Sequence, residues 1–430
     1  MKFPRPLAHP FPLVGLLLLP LVASVWAEEP APAVSCDAIV GEIAAGNPEL
    51  RFYEEELAAA RIGHRLAGMR SDPQLSVELG RKRNHDLGGV LAGEGTAWSV
   101  TLEQTFEFPG RLALRKAIAN RQIELAELGL ARFQAGLRAR ARTLACGLQA
   151  AQEKTAVVQE VAERFRVLRE LFLSRDPAGL TPLLETRVLE ANEISLQSRA
   201  TEASLAARMA LAELNQLRGA PPDTPVRLAG APPPPSPAPA REVLLAAARE
   251  ANFDYRMKQV ELEQQGIEVS LARHERYPSF TVSPFFSQEK AVEKETVVGI
   301  GVSVPLPLTS RSRAGIDLAA ARRRQAEAAM ATAQRQLERE VTGAAHAYEA
   351  RLAAMSRWQP DAVGKFREAA ALADRHFRLG AVPLATYIEL QSAYVEAVEA
   401  MLDTQREALE ARQQLELLTG LNIGAVEVKP

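Results

Sequence analysis

The sequence repeats itself at a spacing of about 200 residues, and this repeat restricts the fold more than any other feature. "NPELRFYEEELAAARIG" begins at Asn47, and the similar "NFDYRMKQVELEQQGIE" begins at Asn252. Later in each half a Gly-x-x-Pro-Leu motif interrupts a long helical pattern, and its members are Gly179, Pro182, Leu183, Gly380, Pro383 and Leu384. A repeat at fixed spacing indicates that one structural unit is used twice.

The repeat divides the chain into two units, residues 28–220 and residues 242–422. "APPPPSPAPA" lies between them, so residues 221–241 are predicted to form an extended, proline-rich connector. Residues 423–430 remain as a C-terminal tail. In each unit the pattern of apolar residues predicts a helix, two strands, a long helix, a tip and a returning helix.

Four segments alternate between apolar and polar residues with the period of two that is typical of β-strands. "WSVTLEQTFEF" shows the alternation most clearly, with Trp98, Val100 and Leu102 on one face. The predicted strands span about residues 73–84, 97–108, 278–287 and 296–307. Taken alone, such strands favour a half-buried antiparallel sheet in a soluble domain, but their length of about ten residues also matches a membrane β-barrel.

The first residues have the pattern of an export signal. Lys2 and Arg5 precede the apolar run "FPLVGLLLLPLVASVWA", which ends in small residues suited to cleavage. We therefore expect residues 1–27 to be a signal peptide and the protein to be exported. Because no later segment holds eighteen consecutive apolar residues, no transmembrane helix is expected, and membrane insertion would require β-strands.

The number of predicted strands then indicates an assembly. Small closed membrane barrels need about eight strands, whereas one chain offers four. Open sheet edges are not tolerated in lipid. Three chains would together supply twelve strands, so we expect a homotrimer whose protomers share one twelve-stranded β-barrel.

The second helical segment of each unit is unusually long, and the two predicted spans are about residues 112–173 and 313–378. Ile123, Leu130, Leu137 and Leu144 recur every seven residues, which is the spacing of coiled coils. About 60 helical residues extend roughly 90 Å, a length that would also suit a rod or an extended dimer. A rod does not explain paired strands beside each helix pair, so we expect the strands at one end and the tips, at about residues 174–182 and 379–383, at the other.

Two cysteines, Cys36 and Cys146, form a candidate disulfide, because paired cysteines in an exported protein are often bridged. Counting along helices places both at a similar distance from the strands, about 50 Å. Two alternatives stay open. The cysteines could be free buried thiols, or Cys36 could carry a lipid, although the residues before it lack the usual leucine.

The ordered set of motifs resembles the TolC-like outer-membrane efflux proteins, most closely their CzcC-like heavy-metal efflux branch. The resemblance rests on "NPEL", "LEQTFEFPGRLALR" at residues 102–115, "VSVPLPL" at 302–308 and "RLGAVPLATYIELQSAYVEA" at 378–397. It implies a mixed, mainly α fold in which duplicated long α-helical hairpins form a periplasmic tunnel. Four strands per protomer would contribute to a trimeric, 12-stranded outer-membrane β-barrel embedded in outer-membrane lipid.

The resemblance also implies partners and contact residues. The helical tips of such proteins dock onto a periplasmic adaptor, which joins them to an inner-membrane pump, here expected to be of the RND type. The expected adaptor contacts are Gly179, Leu180, Pro182, Leu183, Arg378, Leu379, Gly380, Pro383 and Leu384. Acidic residues near the tips serve as gate or selectivity rings in the family, which makes Glu389 the candidate gate, unless it simply faces water.

The residues alone do not indicate the cargo, and they exclude several classes of protein. The five histidines outside the signal, His64, His85, His274, His346 and His376, show no metal-ligand spacing, and no cofactor motif is present. The sequence shows no pattern of a nucleophile paired with a base, so it does not predict an enzyme. The formal net charge of −2 does not suit nucleic-acid binding.

Three functional hypotheses remain. The principal one is a passive outer-membrane exit duct, for heavy-metal cations. Alternatives of the same kind are a multidrug efflux channel or a type I secretion channel. An alternative of another class is a periplasmic adaptor or helical interaction protein, since adaptors also combine helical hairpins with β-rich regions.

Overall fold

The computed structural model describes residues 34–173, 180–229, 236–306, 310–358 and 362–423. The expected signal peptide, Gly179, part of the proline-rich connector and residues 424–430 of the tail lie outside these ranges. In the described part, no helix has the length and apolar character needed to cross a membrane.

The two units contain corresponding elements. In the first unit these are β1 Val34–Ser35, α1 Cys36–Gly46, α2 Leu50–Ala67, β2 Gln74–His85, β3 Leu91–Phe106, α3 Arg111–Leu173, α4 Leu180–Arg218 and β4 Leu228–Ala229. In the second they are α5 Arg241–Ala251, α6 Phe253–His274, β5 Phe280–Lys290, β6 Lys294–Ser303, α7 Arg311–Ser356, α8 Ala362–Arg378 and α9 Leu384–Thr419. The fold is mainly helical, as the sequence predicts.

The four long strands form one antiparallel sheet in the order β2-β3-β5-β6. Each unit contributes one strand pair, and β3 joins β5 across the two units, with Phe106 opposite Phe280. One face of the sheet is apolar and exposed in the single chain, including Leu75, Val77, Val298, Ile300 and Val302. Alternate residues of a strand share a face, which is why the period of two predicts this surface.

Strand β3 begins at Leu91, earlier than the predicted start at about residue 97. Its first residues, "LAGEGTA", are small and show no apolar alternation. Gly95 lies against the backbone of Lys290, where a Cβ atom would collide. The glycine therefore permits close approach of two backbones. Because this role does not require apolar residues, the alternation of apolar and polar residues does not reveal the start of the strand.

The helices continue the order of the strands. Below the sheet α2 packs on α3, α3 on α6 and α6 on α7, so that these helices form the row α2-α3-α6-α7. Further along, α4 and α9 pack on α3, and α9 also contacts α7 and α8. Helices α3, α7 and α8 lead away from the strands towards the tips, and α4 and α9 return from the tips.

The second unit departs from the predicted single helix at about residues 313–378. Helix α7 ends at Ser356 and α8 begins at Ala362. The intervening sequence contains Pro360. Proline lacks a backbone N–H and disfavours the helical conformation of the residue before it, so it is a signal for a helix boundary.

Two buried asparagines join helices end to end at corresponding places. Asn47 Nδ2 donates to the carbonyl of Leu217 near the end of α4 (2.9 Å), and its Oδ1 accepts from the N–H of Glu49 before α2 (2.9 Å). Asn252 Nδ2 donates likewise to Leu418 in α9 (3.2 Å), and its Oδ1 accepts from Tyr255 in α6 (3.0 Å). Each amide thus satisfies one helix C-terminus and one helix N-terminus.

The apolar core is distributed along the helices. One cluster of the first unit contains Ile39, Ile43 and Leu137, and one of the second contains Leu244 and Leu337. Leu137 and Leu337 are paired by the sequence repeat, and both are buried. A further cluster lies towards the tips and combines residues of α3, α4, α8 and α9.

Candidate functional site at the helical tips

The tip of the second unit is a tight turn between α8 and α9. Gly380 has φ +72°, and its N–H donates to the carbonyl of Phe377 (2.9 Å), while the N–H of Ala381 donates to the carbonyl of His376 (2.9 Å). These two bonds form a Schellman motif, which ends a helix with a residue in the left-handed conformation. Glycine is favoured there because a side chain makes that conformation costly.

The turn presents a small exposed surface. Leu379 is 75% exposed, Gly380 is also exposed, and Arg378 forms an ion pair with Asp374 (3.1 Å). Pro383 is the N-cap of α9. Leu384 does not belong to this surface, because it is only 7% exposed and packs in the cluster beneath the tip. Its side chain anchors α9 on the core, and its expected role as an adaptor contact stays a prediction.

The tip of the first unit is described only in part. Helix α4 begins at Leu180, so Pro182 and Leu183 stand in its first turn. Proline suits this position because the first N–H groups of a helix have no partner within it. Gly179 lies outside the described residues, and the expected adaptor contact there remains a prediction.

Aromatic rings fill the core beneath the described tip. Tyr387 of α9 is fully buried, stacks on Phe377 of α8 with ring centroids 5.0 Å apart, and lies 5.5 Å from the ring of Phe165 in α3. Burial raises the pKa of Tyr387, because the phenolate form would be poorly solvated. The hairpin α8–α9 is thus packed onto α3 by three rings.

A buried polar residue crosses the same core. Gln391 of α9 is fully buried, and its Nε2 donates to the carbonyl of Ala370 in α8 (2.8 Å). Its Oε1 accepts from Nη1 of Arg164 in α3 (3.1 Å). One side chain therefore connects three helices. Gln391 is not among the residues predicted from the sequence. A signal for it is nevertheless present, because Leu384, Tyr387 and Tyr394 form an apolar seam at heptad spacing in which Gln391 is the polar residue. A single polar residue in such a seam is a recognised signal of specific helix pairing.

The candidate gate, Glu389, is exposed on α9. No ion pair joins it to another side chain in the described ranges. Glu396 and Asp403 follow it at intervals of seven residues and are also exposed, although Asp403 lies 3.7 Å from Lys154. Residues seven apart lie on one face of a helix, so Glu389 begins an acidic line along α9. Its role as a gate stays a prediction.

The two cysteines lie next to each other. The sulfur atoms of Cys36 in α1 and Cys146 in α3 are 4.0 Å apart, and both thiols are free in the structure. The hydrogen bond from Cys146 lowers the pKa of Cys36, whereas that same bond and burial raise the pKa of Cys146. A disulfide has an S–S length of about 2.05 Å, so only a small movement separates the thiols from a bond.

We predict that Cys36 and Cys146 form an intramolecular disulfide in an oxidising compartment. Protein isolated without reductant should add no thiol-reactive polyethylene glycol on a denaturing gel, and reduced protein should add two. The Cys36→Ser variant should add one label under both conditions, which makes it the matched control. Two labels on the unreduced wild type would show that the thiols stay free.

No group of three or more histidine, cysteine, aspartate or glutamate side chains in the described chain is arranged to hold a metal ion.

Comparison with known proteins finds one family match, within the second unit. Residues 244–421 match the model of the family described as "Outer membrane efflux protein". No curated protein matches the sequence significantly. The family match covers most of the second unit, and the structural likeness described below extends the fold over both units. The chain is therefore similar to the outer membrane efflux proteins in sequence within its second unit.

Solved structures share this fold over nearly the whole chain. A structure of CusC has a TM-score of 0.69 at 16% identity and covers 92% of this chain and 95% of its own. The CmeC outer membrane channel of Campylobacter jejuni has a TM-score of 0.70 at 14% identity, covering 97% and 96%. The open-state MtrE outer membrane channel of Neisseria gonorrhoeae has a TM-score of 0.67 at 17% identity, covering 90% and 88%. The likeness extends across both units.

Proposed function

We propose that this protein is the outer-membrane exit duct of a tripartite efflux assembly. The observation that carries the proposal is the placement of an exposed apolar sheet at one end of a long helical row, with a tight helical turn at the other. The sheet would meet outer-membrane lipid, and the tips would meet a periplasmic adaptor. The duct is passive, and an inner-membrane pump, of the RND type by resemblance, supplies the energy.

The open edges of the sheet support a homotrimer. Strands β2 and β6 each pair on one side only within the described chain. Unpaired backbone groups are costly in lipid, so both edges need partners. Three copies joined edge to edge would give twelve strands in a closed barrel and three pairs of helical units below it.

Opening of the tips would require a movement of the α8–α9 hairpin relative to α3. The contacts that hold this hairpin are the rings around Tyr387 and the hydrogen bonds of Gln391. We propose that adaptor binding favours the state in which these contacts are rearranged. A partner can shift such an equilibrium only through a difference in its affinity for the two states.

The proposal is tested by fractionation and complementation. The protein should remain in the outer-membrane pellet after a high-salt wash and migrate as a trimer in mild detergent. A deletion strain should lose tolerance to the cargo and regain it with the wild-type gene. Recovery of the protein in the soluble fraction after the wash would contradict the assignment as a duct and favour an adaptor.

Heavy-metal cations are the proposed cargo. The support is the resemblance of "FEFPGRLALR" to the heavy-metal efflux branch, together with the acidic line that begins at Glu389. The alternatives are multidrug efflux and type I secretion. Tolerance of the deletion strain to a panel of divalent cations and to a panel of drugs distinguishes them, and sensitivity to drugs alone would reject the metal cargo.

We predict that Glu389 contributes to cation selectivity at the periplasmic entrance. The Glu389→Gln variant should reduce the preference for cations over anions in single-channel recordings, because an exposed carboxylate near a narrow opening concentrates cations. Glu407→Gln, further along the same helix and paired with Arg351 (2.7 Å), is the matched control. Equal selectivity of the Glu389→Gln channel and the wild type would leave Glu389 as an ordinary solvated residue.

A further inference from the structure

The exposed apolar face of the sheet is bordered by a row of cations. One row across the four strands is apolar and consists of Val77, Val100, Phe286 and Val298. Four residues further from the helices on each strand, and therefore on the same face, stand Arg81, Thr96, Lys290 and Lys294. Arg83 lies on this face too, two residues beyond Arg81. The face thus changes from apolar to cationic near the end of the sheet that lies away from the helices.

The cations on this face have few acidic partners. Arg81 and Arg83 both form ion pairs with the same carboxylate, Glu94, at 2.7 Å and 2.8 Å. Lys290 and Lys294 stand directly opposite each other, and neither forms an ion pair with another described residue. Like charges that face each other across a sheet are unfavourable. Four exposed cations therefore share one carboxylate, and the face holds an excess of positive charge.

The opposite face of the same strands is balanced differently. Lys82 lies between the two arginines in sequence and therefore on the other face of β2. It forms ion pairs with two carboxylates, Glu289 (2.6 Å) and Glu295 (3.0 Å). Around Lys82 the acids exceed the cation, whereas on the face that carries the apolar residues the cations exceed the acid. The excess of cations is therefore a property of the apolar face and not of the strand ends in general.

Aromatic side chains mark the limits of the apolar band. Trp98 of β3 stands opposite Leu79, between the apolar row and the cationic row, and its ring centroid lies 5.2 Å from that of Phe286. At the other end of the strand, Phe106 stacks on Phe280, with centroids 5.3 Å apart. Membrane sheets carry such aromatic girdles at both membrane–water interfaces. The cations lie just beyond Trp98, so in a membrane they would stand at the level of the lipid headgroups.

We propose that Arg81, Arg83, Lys290 and Lys294 bind the phosphate groups of a glycolipid in the leaflet farther from the helices. These four residues are called the cationic rim below. The inference rests on the proposed function, in which the apolar face meets outer-membrane lipid and the helices extend into the periplasm. The leaflet at the rim is then the outer one. Arginine and lysine donate charge-assisted hydrogen bonds to phosphate oxygens, and these bonds are stronger than neutral ones.

The occupant is a lipid because the cationic rim and the apolar face are continuous. A molecule that contacts both needs phosphate groups at one end and acyl chains below them, and a sugar headgroup with several phosphates matches the several cations of the rim. Glu94 competes with this lipid for the two arginines. Ion pairs between exposed side chains are weak, so exchange of Glu94 for a phosphate costs little. In the homotrimer of the proposed function, the rim occurs three times around the barrel.

A titration with one defined lipid tests the cationic rim. The probe is diphosphoryl lipid A, added to the purified full-chain trimer in a neutral detergent, and native mass spectrometry gives the dissociation constant of the bound lipid. The rim variant R81Q/R83Q/K290Q/K294Q should bind at least about tenfold more weakly, since each cation near an anionic lipid surface contributes attraction. The charge-preserving variant R81K/R83K/K290R/K294R should bind within about threefold of the wild type. Equal binding by the rim variant and the wild type would overturn the proposal.

Two controls carry the same kind of substitution away from the cationic rim. R138Q/R199Q/R256Q/R335Q removes four exposed arginines from the helices, and Lys82→Gln removes the cation of the opposite face. Both should bind lipid A like the wild type. A weakening by the helical control as large as that of the rim variant would show a general effect of charge and would contradict the rim. The trimer mass in the same spectra shows that each variant is assembled.

Two further measurements use the wild type alone, so they do not depend on how the variants fold. Lipid A from which both phosphates have been removed should bind at least about tenfold more weakly than the diphosphoryl form. Sodium phosphate at an equal phosphate concentration should not displace lipid A, because it lacks the acyl chains that contact the apolar face. Displacement would show a site for free phosphate, and equal binding of both lipids would show that the acyl chains alone are recognised. Either result overturns the proposal.

The outcomes also separate the cationic rim from the proposed function. A protein that stays in the outer-membrane pellet, but whose lipid A binding does not respond to the rim substitutions, would overturn the rim alone. A protein recovered in the soluble fraction after the high-salt wash would overturn the duct and the rim together.

Discussion

Replacing Gly380 with proline should abolish efflux and leave the trimer in the outer membrane. Gly380 has φ +72°, and proline is restricted to a φ near −65°, so the turn between α8 and α9 cannot keep its geometry. The substitution also removes the N–H that donates to the carbonyl of Phe377. The damage should stay at the tip, because no atom outside the turn lies within 4 Å of a Cβ at this position.

The matched control is Gly380→Ala. Alanine tolerates the left-handed conformation at a cost of about 1 kcal/mol, keeps the N–H and meets open space. Efflux should therefore remain near the wild-type level. Cargo tolerance of the deletion strain measures transport, and the trimer band in mild detergent measures assembly. Normal efflux by a trimeric Gly380→Pro variant would show that this tip is not the docking surface.

Much of the architecture follows from periodicity. The alternation around Trp98 and Val100 predicts strand β3, and the heptads that contain Leu137 predict the buried face of α3. Both periods are set by backbone geometry, so they appear in the sequence wherever one face is apolar. The predicted fold class, mainly helical with four strands, is confirmed by the structure and by its likeness to solved channels.

Other features do not follow from the periodicity of apolar residues. Gly95 permits a close approach of two backbones, and Gln391 connects three helices through hydrogen bonds. Neither role depends on hydrophobicity. Gly95 therefore has no place in a pattern of apolar positions, and Gln391 is marked only as the polar position in the apolar seam of α9. Leu384 is a different case. The motif at the tip does not indicate how far this residue is buried, because its burial is set by the core on which the first turn of α9 packs.

The connection between the tips and the strands also depends on Asn47 and Asn252, which in the sequence are only markers of the repeat. Asn47 marked the start of one repeat and Asn252 the start of the other. In the structure each amide closes the joint between a returning helix and the helix that leads to the sheet. Without a connection at the joint, the two helices could bend relative to each other. The hydrogen-bonded amide opposes this bending because it holds both helix ends.

Removing these amides should destabilise the protein more than any exposed substitution of the same kind. Asn252→Ala removes the cap bond to Tyr255, which costs about 1 kcal/mol, and leaves the Leu418 carbonyl without its partner, which costs about 1–3 kcal/mol. We expect a loss of about 2–4 kcal/mol in the free energy of unfolding. The double variant with Asn47→Ala should lose about twice as much, because the two joints belong to different units.

Guanidinium unfolding of the detergent-solubilised protein, followed by circular dichroism of the helices, measures these losses. Asn120→Ala is the matched control, because Asn120 is exposed on α3, and it should change the free energy of unfolding by less than about 0.5 kcal/mol. If Asn252→Ala were no more destabilising than Asn120→Ala, the joint would not depend on its amide. Equal losses at Asn47 and Asn252 would instead show that the duplicated units use the same physical device to make two long, continuous supports for the duct.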